Sequence, residues 1–234
     1  MYKYFFKRLF DIIFSFIMII VLFLPMIVIA IAVRCDSKGK AFFVQKRYGK
    51  NKKVFKCYKF RSMFEEAPHE MSTNEFNGGN YITKVGHFIR KTSLDELPQL
   101  FNILKGDMSF IGPRPVILSE TELTDYREEF GALKVRPGLT GLAQVSGRDN
   151  LTDMKVKAEI DGEYARTISI FNDFKILLKT IKKVLKQEDI VEERTKNDIE
   201  ETSCASEDLT NEDAIDILPK TNVVEPNAKE DQVS

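Results

Sequence analysis

The sequence predicts a small, mostly helical α/β domain that faces the cytosol, with a short β-hairpin and an N-terminal re-entrant membrane helix. Three observations predict this fold class. Apolar residues run from position 12 to 33, two strand-like segments follow within residues 41–60, and apolar side chains recur at helical spacing in residues 170–186. With 234 residues, the chain is long enough for one domain together with an anchor and a tail.

Charge is distributed unevenly along the chain, although the formal net charge is zero. Residues 188–234 contain 15 acidic and 4 basic residues, which leaves 20 acidic and 31 basic residues in positions 1–187 and a net charge near +11 there. A basic body suits an anionic membrane surface or an anionic substrate, whereas no nucleic-acid-binding motif is visible. Residues 191–234 are acidic and poor in aromatic residues, which predicts a disordered tail.

The three cysteines, Cys35, Cys57 and Cys204, are scattered along the chain and form no Cys-x-x-Cys pair. With only two histidines present, this pattern does not predict a zinc site, and the odd number argues against a disulfide framework. Free cysteines are typical of proteins that face a reducing, cytosolic environment.

The apolar segment at residues 12–33 is interrupted only by Ser15 and Pro25 and is long enough to cross a bilayer. A cleaved signal peptide is one alternative, but the apolar stretch exceeds the usual length of such a signal. A straight transmembrane helix is another, but basic residues flank both ends, and the positive-inside rule places both flanks in the cytoplasm. A helix that is broken at Pro25 and leaves on the side where it entered satisfies both flanks.

A β-hairpin is predicted directly after the anchor. Residues 41–45 and 54–60 are rich in aromatic and β-branched residues, and a polar turn at residues 48–53 joins them. Side chains alternate between the two faces of a strand, so Lys59 and Arg61 share one face. These two cations form either a solvated strand face or a site for an anionic ligand.

The stretch Ser93-Leu94-Asp95-Glu96-Leu97-Pro98-Gln99 contains two adjacent carboxylates before a proline and an apolar run. Proline is tolerated in the first turn of a helix, which predicts that Asp95 and Glu96 lie at a helix N-terminus. An ionised aspartate there is a competent nucleophile, and a phosphate favours the same positive end. The structural alternative is that Ser93 and Glu96 form a capping box, which needs no function.

Several arginines follow on stiff or glycine-marked backbone. Arg114 lies between two prolines in Gly112-Pro113-Arg114-Pro115, and Arg148 follows a glycine in Ser146-Gly147-Arg148-Asp149. Arginine on such backbone suits the bidentate recognition of phosphate groups. The combination of paired carboxylates and arginines therefore favours chemistry on a phosphorylated substrate.

The remaining segments are mostly helical. A short helix is predicted at residues 85–90, further helices at 117–130 and 153–167, and a loop with three glycines at 134–147. The last predicted helix, at residues 170–186, has apolar and lysine-rich faces. It either lies in the headgroup plane of a membrane or is a last core helix with a solvated basic face.

Three strings of the sequence together resemble the bacterial sugar transferase family: YKFRSM, KTSLDELPQLFNILKGDMSFIGPRP and VRPGLTGLAQVSGRD. The size and the one N-terminal apolar segment resemble its small monotopic polyprenyl-phosphate phosphoglycosyl transferases. The resemblance extends over about residues 2–186 and implies the re-entrant path of the anchor. It divides the chain into an anchor at residues 1–34, a phosphoglycosyl transferase domain at 35–190 and the tail at 191–234.

The resemblance also implies a reaction. A UDP-sugar gives its sugar-1-phosphate to undecaprenyl or another polyprenyl phosphate and releases UMP, through a phosphosugar ester on aspartate and with Mg²⁺. Asp95 and Glu96 match the catalytic pair, and Asp95 is the expected metal ligand. Asp161 and Asp173 lie in matching strings with less secure roles. The residues expected to bind substrate are Lys59, Arg61, Arg90, Arg114 and Arg148.

This activity is expected at the bacterial inner membrane, with the catalytic domain and both termini in the cytoplasm. It would be the first membrane step of surface glycan or glycoprotein assembly, with downstream glycosyltransferases as partners. The sequence does not identify the sugar. Two other functions stay open, a catalytically silent membrane adaptor and an aspartate-dependent phosphatase that hydrolyses the same covalent intermediate.

Overall fold

The computed structural model describes residues 2–67, 81–147 and 153–186. A π-helical turn at Tyr2–Phe6 leads into helix α1, Lys7–Asp36. Among the described residues, α1 is the one helix long and apolar enough to cross a membrane. The predicted N-terminal apolar helix is therefore confirmed, whereas the predicted tail lies outside the described residues.

Helix α1 continues through Pro25 as one helix of 30 residues. The break predicted at this proline is not an interruption of the helix, because a proline removes one intrahelical hydrogen bond and bends the axis without having to end it. The helix-break-helix form of the anchor is therefore wrong, and its re-entrant path stays a prediction.

Both ends of α1 are bonded to the rest of the domain. Near the N-terminal end, the Lys7 ammonium lies 2.7 Å from a carboxylate oxygen of Asp173. At the C-terminal end, the Asp36 carboxylate accepts the backbone N–H of Val85 at 2.8 Å. Between them, Met26 is buried against the domain. The helix is thus attached to the same unit at its two ends and in between.

The predicted hairpin is confirmed. Strands β1 (Phe42–Tyr48) and β2 (Val54–Phe60) pair antiparallel, and β1 continues to Tyr48 instead of ending at residue 45. A short strand β4 (Val116–Ile117) pairs with the other edge of β1. A second, parallel pair joins β3 (Ser109–Ile111) to β5 (Gly138–Thr140). The three later strands were not predicted, because two or three residues give no period to detect.

The other predicted helices are present. The helices at Lys84–Lys91, Thr121–Glu129 and Met154–Arg166 fall within one to four residues of the expected bounds, and a short helix at Leu142–Val145 forms inside the segment predicted as loop. The helices after α1 are α2 (Lys84–Lys91), α3 (Gln99–Lys105), α4 (Thr121–Glu129), α5 (Leu142–Val145), α6 (Met154–Arg166) and α7 (Ile170–Lys186).

Helix α3 is fixed to the outer edge of β2 by Asn102, which is fully buried. Its side-chain carbonyl accepts the N–H of Tyr58 at 3.0 Å, and its amide donates to the carbonyl of Lys56 at 2.7 Å. Because the turn Leu94–Glu96 lies just before α3, this attachment brings that turn to the strand that carries Lys59.

The turn is also supported from α1. Leu94 and Leu97, which flank the two carboxylates, pack against a buried cluster that includes Met26, Val33 and Phe60. Met26 and Val33 belong to the second half of α1, so this part of α1 packs against the turn. Apolar burial of this kind stabilises by about 25 cal/mol for each Å² removed from water.

Helix α7 packs against the domain through Asp173 and Ile176, which are buried, while most of its apolar side chains stay exposed. Phe171 is 78% exposed and Phe174 58%. The alternative of a core helix with only its basic face in solvent is therefore wrong. The exposed apolar side chains of α7 are Ile170, Phe171, Phe174, Leu177, Leu178, Ile181 and Val184.

Candidate active site

The two carboxylates do not lie at a helix N-terminus as predicted. They lie in a separate 3-10 turn, Leu94–Glu96, and α3 begins only at Gln99, after Pro98. The capping box expected of Ser93 and Glu96 does not form. Ser93 has a φ of 55° in the left-handed region and makes no side-chain cap, whereas an N-cap residue needs extended backbone. The Glu96 side chain turns towards β2 instead, which makes it available for other contacts.

Lys59 links the hairpin to the carboxylate pair. Its ammonium donates to a carboxylate oxygen of Glu96 at 2.7 Å and lies 3.9 Å from one of Asp95. All three side chains are mostly buried, with exposed fractions of 19% for Lys59, 14% for Asp95 and 19% for Glu96. An ammonium shielded from water in this way is a strong partner for an anion.

Two predicted arginines also act on this pair. A guanidinium nitrogen of Arg114 lies 3.5 Å from the Glu96 carboxylate oxygen that also accepts from Lys59, and the Arg114 side chain is still 36% exposed. The charge of Arg90, on the last turn of α2, lowers the pKa of Asp95. The structure therefore brings Lys59, Arg90 and Arg114 to the two carboxylates.

The two carboxyl groups have different acidities. Burial raises the pKa of Asp95, and the nearby Lys59 charge only partly offsets this. Burial acts in the same direction on Glu96, but the charges of Lys59 and Arg114 outweigh it and lower the pKa of Glu96 to about 2. Glu96 is therefore the permanently ionised member of the pair, and Asp95 is the member whose charge is costly and reactive.

Arg114 is held by close packing of its own loop. Gly112 and Gly138 approach backbone to backbone, so a Cβ atom on Gly138 would lie 2.1 Å from the Gly112 nitrogen. The N–H of Gly112 donates to the Thr140 carbonyl at 2.9 Å, and the N–H of Gly138 donates to that of Pro113 at 2.9 Å. Glycine is needed here because the backbones approach so closely.

Two further arginines fix the carbonyls of the same loop. Arg47 on β1 donates to the Pro115 carbonyl at 2.5 Å, and Arg127 on α4 donates to the Arg114 carbonyl at 2.6 Å. Arg127 also forms an ion pair with Asp161, and both side chains are almost completely buried. Asp161 thus acts on the site through Arg127, which holds the backbone of Arg114.

Sequence reasoning missed Arg47 and Arg127. The first strand was predicted to end at residue 45, before Arg47, whereas in the structure it continues to Tyr48. The hairpin pairs Phe43 with Lys59, so Arg47 lies on the strand face that carries Lys59. For Arg127 the local sequence held no signal, since its partners come from the Pro-Arg-Pro loop and from α6.

Arg61 is not brought to the carboxylate pair. Its buried guanidinium donates to the carbonyl of Ser37 at 2.8 Å and to that of Lys38, both just after α1. The expected substrate contact of Arg61 finds no support, because strand β2 ends at Phe60 and the alternation that aligned Arg61 with Lys59 ends there. Arg148 lies outside the described residues, so its expected role stays a prediction.

Asp173, the other aspartate in the matching strings, tethers the N-terminal turn. It accepts hydrogen bonds from the hydroxyls of Tyr2 at 2.7 Å and Tyr164 at 2.9 Å, besides its ion pair with Lys7. Burial and the negative charge of Asp173 raise the pKa of the Tyr164 hydroxyl well above its usual value. The contacts of Asp173 therefore stabilise the fold by joining the N-terminal turn to α6 and α7.

A small cavity of about 10 Å³ lies at the site, with Lys59, Glu96 and Arg114 in its wall. This is roughly the space that one water molecule needs, so the cavity does not enclose a nucleotide sugar. A larger substrate would bind on the outer side, where Arg114 is exposed. The cavity is lined by Arg47, Cys57, Lys59, Glu96, Gln99, Arg114, Pro115, Gly138 and Leu139.

Few side chains among the described residues could hold the magnesium ion that the family resemblance implies. Among the described residues, no group of three or more His, Cys, Asp or Glu side chains could hold an ion. Magnesium is commonly bound by one or two carboxylates together with substrate phosphates and water. Glu96 is occupied by Lys59 and Arg114, which leaves the Asp95 carboxylate as the available ligand.

Comparison with known proteins identifies similar sequences. The undecaprenyl-phosphate galactose phosphotransferase of Salmonella typhimurium is 41% identical over 203 residues, which are 79% of this chain and 41% of that protein. The UDP-glucose:undecaprenyl-phosphate glucose-1-phosphate transferase of Klebsiella pneumoniae is 44% identical over 184 residues, 75% of this chain and 39% of that protein. The exopolysaccharide production protein ExoY of Rhizobium meliloti is 38% identical over 191 residues, 75% of this chain and 83% of that protein.

The chain spans about two-fifths of the length of the first two relatives and most of the third. The family described as bacterial sugar transferase matches residues 2–187, a range that includes both carboxylates and every cation discussed above. On the strength of this match, the chain belongs to the bacterial sugar transferase family.

Proposed function

We propose that this protein transfers a sugar-1-phosphate from a UDP-sugar to undecaprenyl phosphate and releases UMP. The observation that carries the proposal is the charge arrangement of the site. Two mostly buried carboxylates are surrounded by Lys59, Arg90 and Arg114, and the charge of Arg47 also helps to lower the pKa of Glu96. This excess of positive charge suits a diphosphate substrate, and the names of two relatives mention undecaprenyl phosphate.

In the first step, a carboxylate oxygen of Asp95 attacks the phosphorus that carries the sugar. A bond forms between Asp95 and phosphorus, the anhydride bond breaks, and UMP leaves with the electron pair. In the second step, a phosphate oxygen of the lipid attacks the same phosphorus. The bond to Asp95 breaks, so the carboxylate is restored and a lipid diphosphate sugar is formed.

The cations make this attack of an anion on an anion feasible. Arg114 is exposed enough to meet the substrate and carries a planar fork that matches phosphate oxygens. Lys59 lies between the carboxylates and would shield the charge that builds up on the transferred phosphoryl group. Arg47 and Arg127 hold the loop that positions Arg114.

Glu96 orients these cations and does not remove protons. A general base works best with a pKa near the working pH, whereas the pKa of Glu96 is about 2. The acceptor phosphate is itself an anion and needs little activation. The low pKa thus supports an electrostatic role, out of the two roles that the sequence left open for this residue.

Magnesium is proposed as the metal, with Asp95 as its protein ligand. When bound, the ion would neutralise diphosphate oxygens, a contribution that metal ions commonly make in phosphoryl transfer. The residues of the chain would still hold and orient the substrate, because their charges and contacts are present without it.

Replacing Lys59 by Met should slow turnover at neutral pH by about 100-fold, since a preorganised charge at the reacting phosphate is lost. The pKa of Glu96 should rise, because its nearest cation no longer offsets the effect of burial. The acid limb of the pH–rate profile should therefore move to higher pH. Lys56→Met, at an exposed position on the same strand, is the matched control and should leave the profile unchanged. An unshifted profile in Lys59→Met would contradict this electrostatic role.

The proposed setting is the cytoplasmic face of the bacterial inner membrane, with α1 entering and leaving on that face. Lys7 and Asp36, near opposite ends of α1, are both bonded to the same domain, which supports this path. The exposed apolar side chains of α7 support a membrane surface beside the domain. Downstream glycosyltransferases are the expected consumers of the product.

Topology is tested by labelling single cysteines placed at Lys3 and Lys38, with Cys35 and Cys204 replaced by Ser. Cys57 is buried and can be kept. A membrane-impermeant maleimide should label both positions in inverted vesicles and neither position in spheroplasts, because both flanks are predicted to lie in the cytoplasm. Labelling of the two positions from opposite sides would show that α1 crosses the membrane.

The reaction is tested by screening UDP-sugars with magnesium and undecaprenyl phosphate, while UMP and the lipid-linked sugar are measured together. The transferase should release UMP and place sugar phosphate on the lipid in equal amounts. A phosphatase would form free sugar phosphate without lipid product, and a silent adaptor would release no UMP. Either result would overturn the proposal.

A further inference from the structure

An apolar groove of about 300 Å³ lies along the second half of α1, outside the carboxylate site. Its lining residues on α1 follow helical spacing and form one stripe that ends at Arg34. At 1.5 Å for each residue, the stripe from Phe23 to Arg34 is about 16 Å long. The complete lining is Phe23, Met26, Ile27, Ala30, Ile31, Arg34, Phe42 and Phe101.

The groove adjoins the elements that carry the site. Met26, in its wall, belongs to the cluster on which Leu94 and Leu97 pack, so the groove and the carboxylate turn are linked through this cluster. Phe101 comes from α3, which directly follows that turn. Phe42 stacks on Phe60, with ring centroids 5.3 Å apart, on the face of the hairpin opposite to the face that carries Lys59.

Arg34 gives the groove one charged end. It is exposed, and no ion pair links it to any carboxylate in the part of the chain that the structure describes. The remaining lining is apolar, and the side chains on α1 towards Phe23 continue into the segment that is apolar enough for a membrane. A ligand that complements this surface has an anionic head and a long hydrocarbon chain.

We propose that this groove binds the prenyl chain of the lipid acceptor, with its phosphate at the Arg34 end. This inference rests on the proposed function, which supplies an anionic polyprenyl lipid as the second substrate. A phospholipid acyl chain would fit the apolar wall as well. The prenyl chain is the better occupant, because Met26 in the groove wall packs in the same cluster as Leu94 and Leu97, next to the carboxylates that the acceptor phosphate has to reach.

The first test compares variants with the full-length protein in nanodiscs. Ala30→Phe fills the groove and should raise KM for undecaprenyl phosphate by about tenfold or more, as overpacking of an apolar site commonly does. Arg34→Gln should raise the same KM by about threefold to fivefold, since one exposed charge is lost. Val28→Phe, on a 58% exposed side of α1 outside the groove, is the matched control and should change neither value.

Release of UMP in one turnover without lipid measures the first reaction step alone, so it distinguishes a defect in lipid binding from a defect in catalysis. Ala30→Phe and Arg34→Gln should keep the wild-type KM for the UDP-sugar in this assay, which also shows that the variants are folded. An unchanged KM for the lipid in both variants would overturn the proposal that the groove binds the prenyl chain, while the proposed function would stand. Failure of the wild type to release UMP from any UDP-sugar overturns the proposed function instead.

A direct probe identifies the occupant. A diazirine-bearing polyprenyl phosphate should label groove residues such as Ile27 and Phe101, and unlabelled polyprenyl phosphate should compete while added phospholipid does not. This readout needs no activity and no variant, so it stays informative even if Ala30→Phe fails to fold. Labelling confined to other surfaces, or competition by phospholipid, would overturn the proposal.

Discussion

Asp95→Asn is expected to abolish both UMP release and the addition of a phosphosugar mass to the protein. The amide keeps the shape of the side chain but cannot attack phosphorus, so turnover should fall by at least about 1,000-fold, as it does when other enzymes lose a nucleophile. The measurement combines UMP release without lipid and peptide mass mapping of the adduct. An adduct on another residue, or full turnover in Asp95→Asn, would contradict the covalent mechanism.

The same variant should be no less stable than the wild type, and its thermal unfolding temperature should rise. Burial raises the pKa of Asp95, so at neutral pH the ionised carboxylate costs the fold stability. That cost appears as the pH rises above the ordinary pKa of an aspartate, and a neutral amide removes it. Reduced stability together with lost activity would instead show that Asp95 is a structural residue.

Glu96→Gln tests the role of the second carboxylate and is compared with Asp95→Asn. It removes the charge that holds Lys59 and Arg114 but leaves the nucleophile, so it should impair turnover while still allowing some adduct to form. The two carboxylates are adjacent in sequence and similarly shielded, with exposed fractions of 14% for Asp95 and 19% for Glu96, so a difference between the variants reports their different roles.

Arg127→Met is expected to lower the free energy of unfolding by about 3–5 kcal/mol, because it leaves Asp161 buried without a partner. Arg127 is 2% exposed and Asp161 1%, so solvent does not replace the lost contact. Since Arg127 also donates to the Arg114 carbonyl, KM for the UDP-sugar should rise as well. Denaturation of the purified protein and steady-state kinetics measure the two effects.

Two controls make this result specific. The double variant Arg127→Met and Asp161→Leu removes both charges, and it should recover most of the lost stability because no unpaired charge remains. Lys52→Met removes the partner of Glu128 on the same helix, but this pair is exposed, so little should change. A double variant as unstable as Arg127→Met alone would show that the buried charge of Asp161 is not the cause.

Several features were predictable because they depend on residues close in sequence. The alternation of residues 54–60 placed Lys59 on a strand face. The order of Asp95, Glu96 and Pro98 predicted that the two carboxylates lie at a helix N-terminus, whereas the structure places them in a separate 3-10 turn that ends before α3 begins at Gln99. The structure confirms the hairpin and brings both features together. The capping box was wrong, because the left-handed backbone at Ser93 depends on packing that the local pattern does not contain.

By itself, the sequence determined the N-terminal apolar helix, the hairpin, the adjacent carboxylates, the arginine between two prolines and the family resemblance. Only the tertiary structure decided which cations serve the carboxylates: Lys59, Arg90 and Arg114 reach them, Arg47 and Arg127 support them, and Arg61 is used at the end of α1. The physical reason is that a cation acts over a few ångströms of space, and that distance is set by the packing of α1, α3 and the hairpin. Residues far apart in the chain make those contacts, so no local period records them.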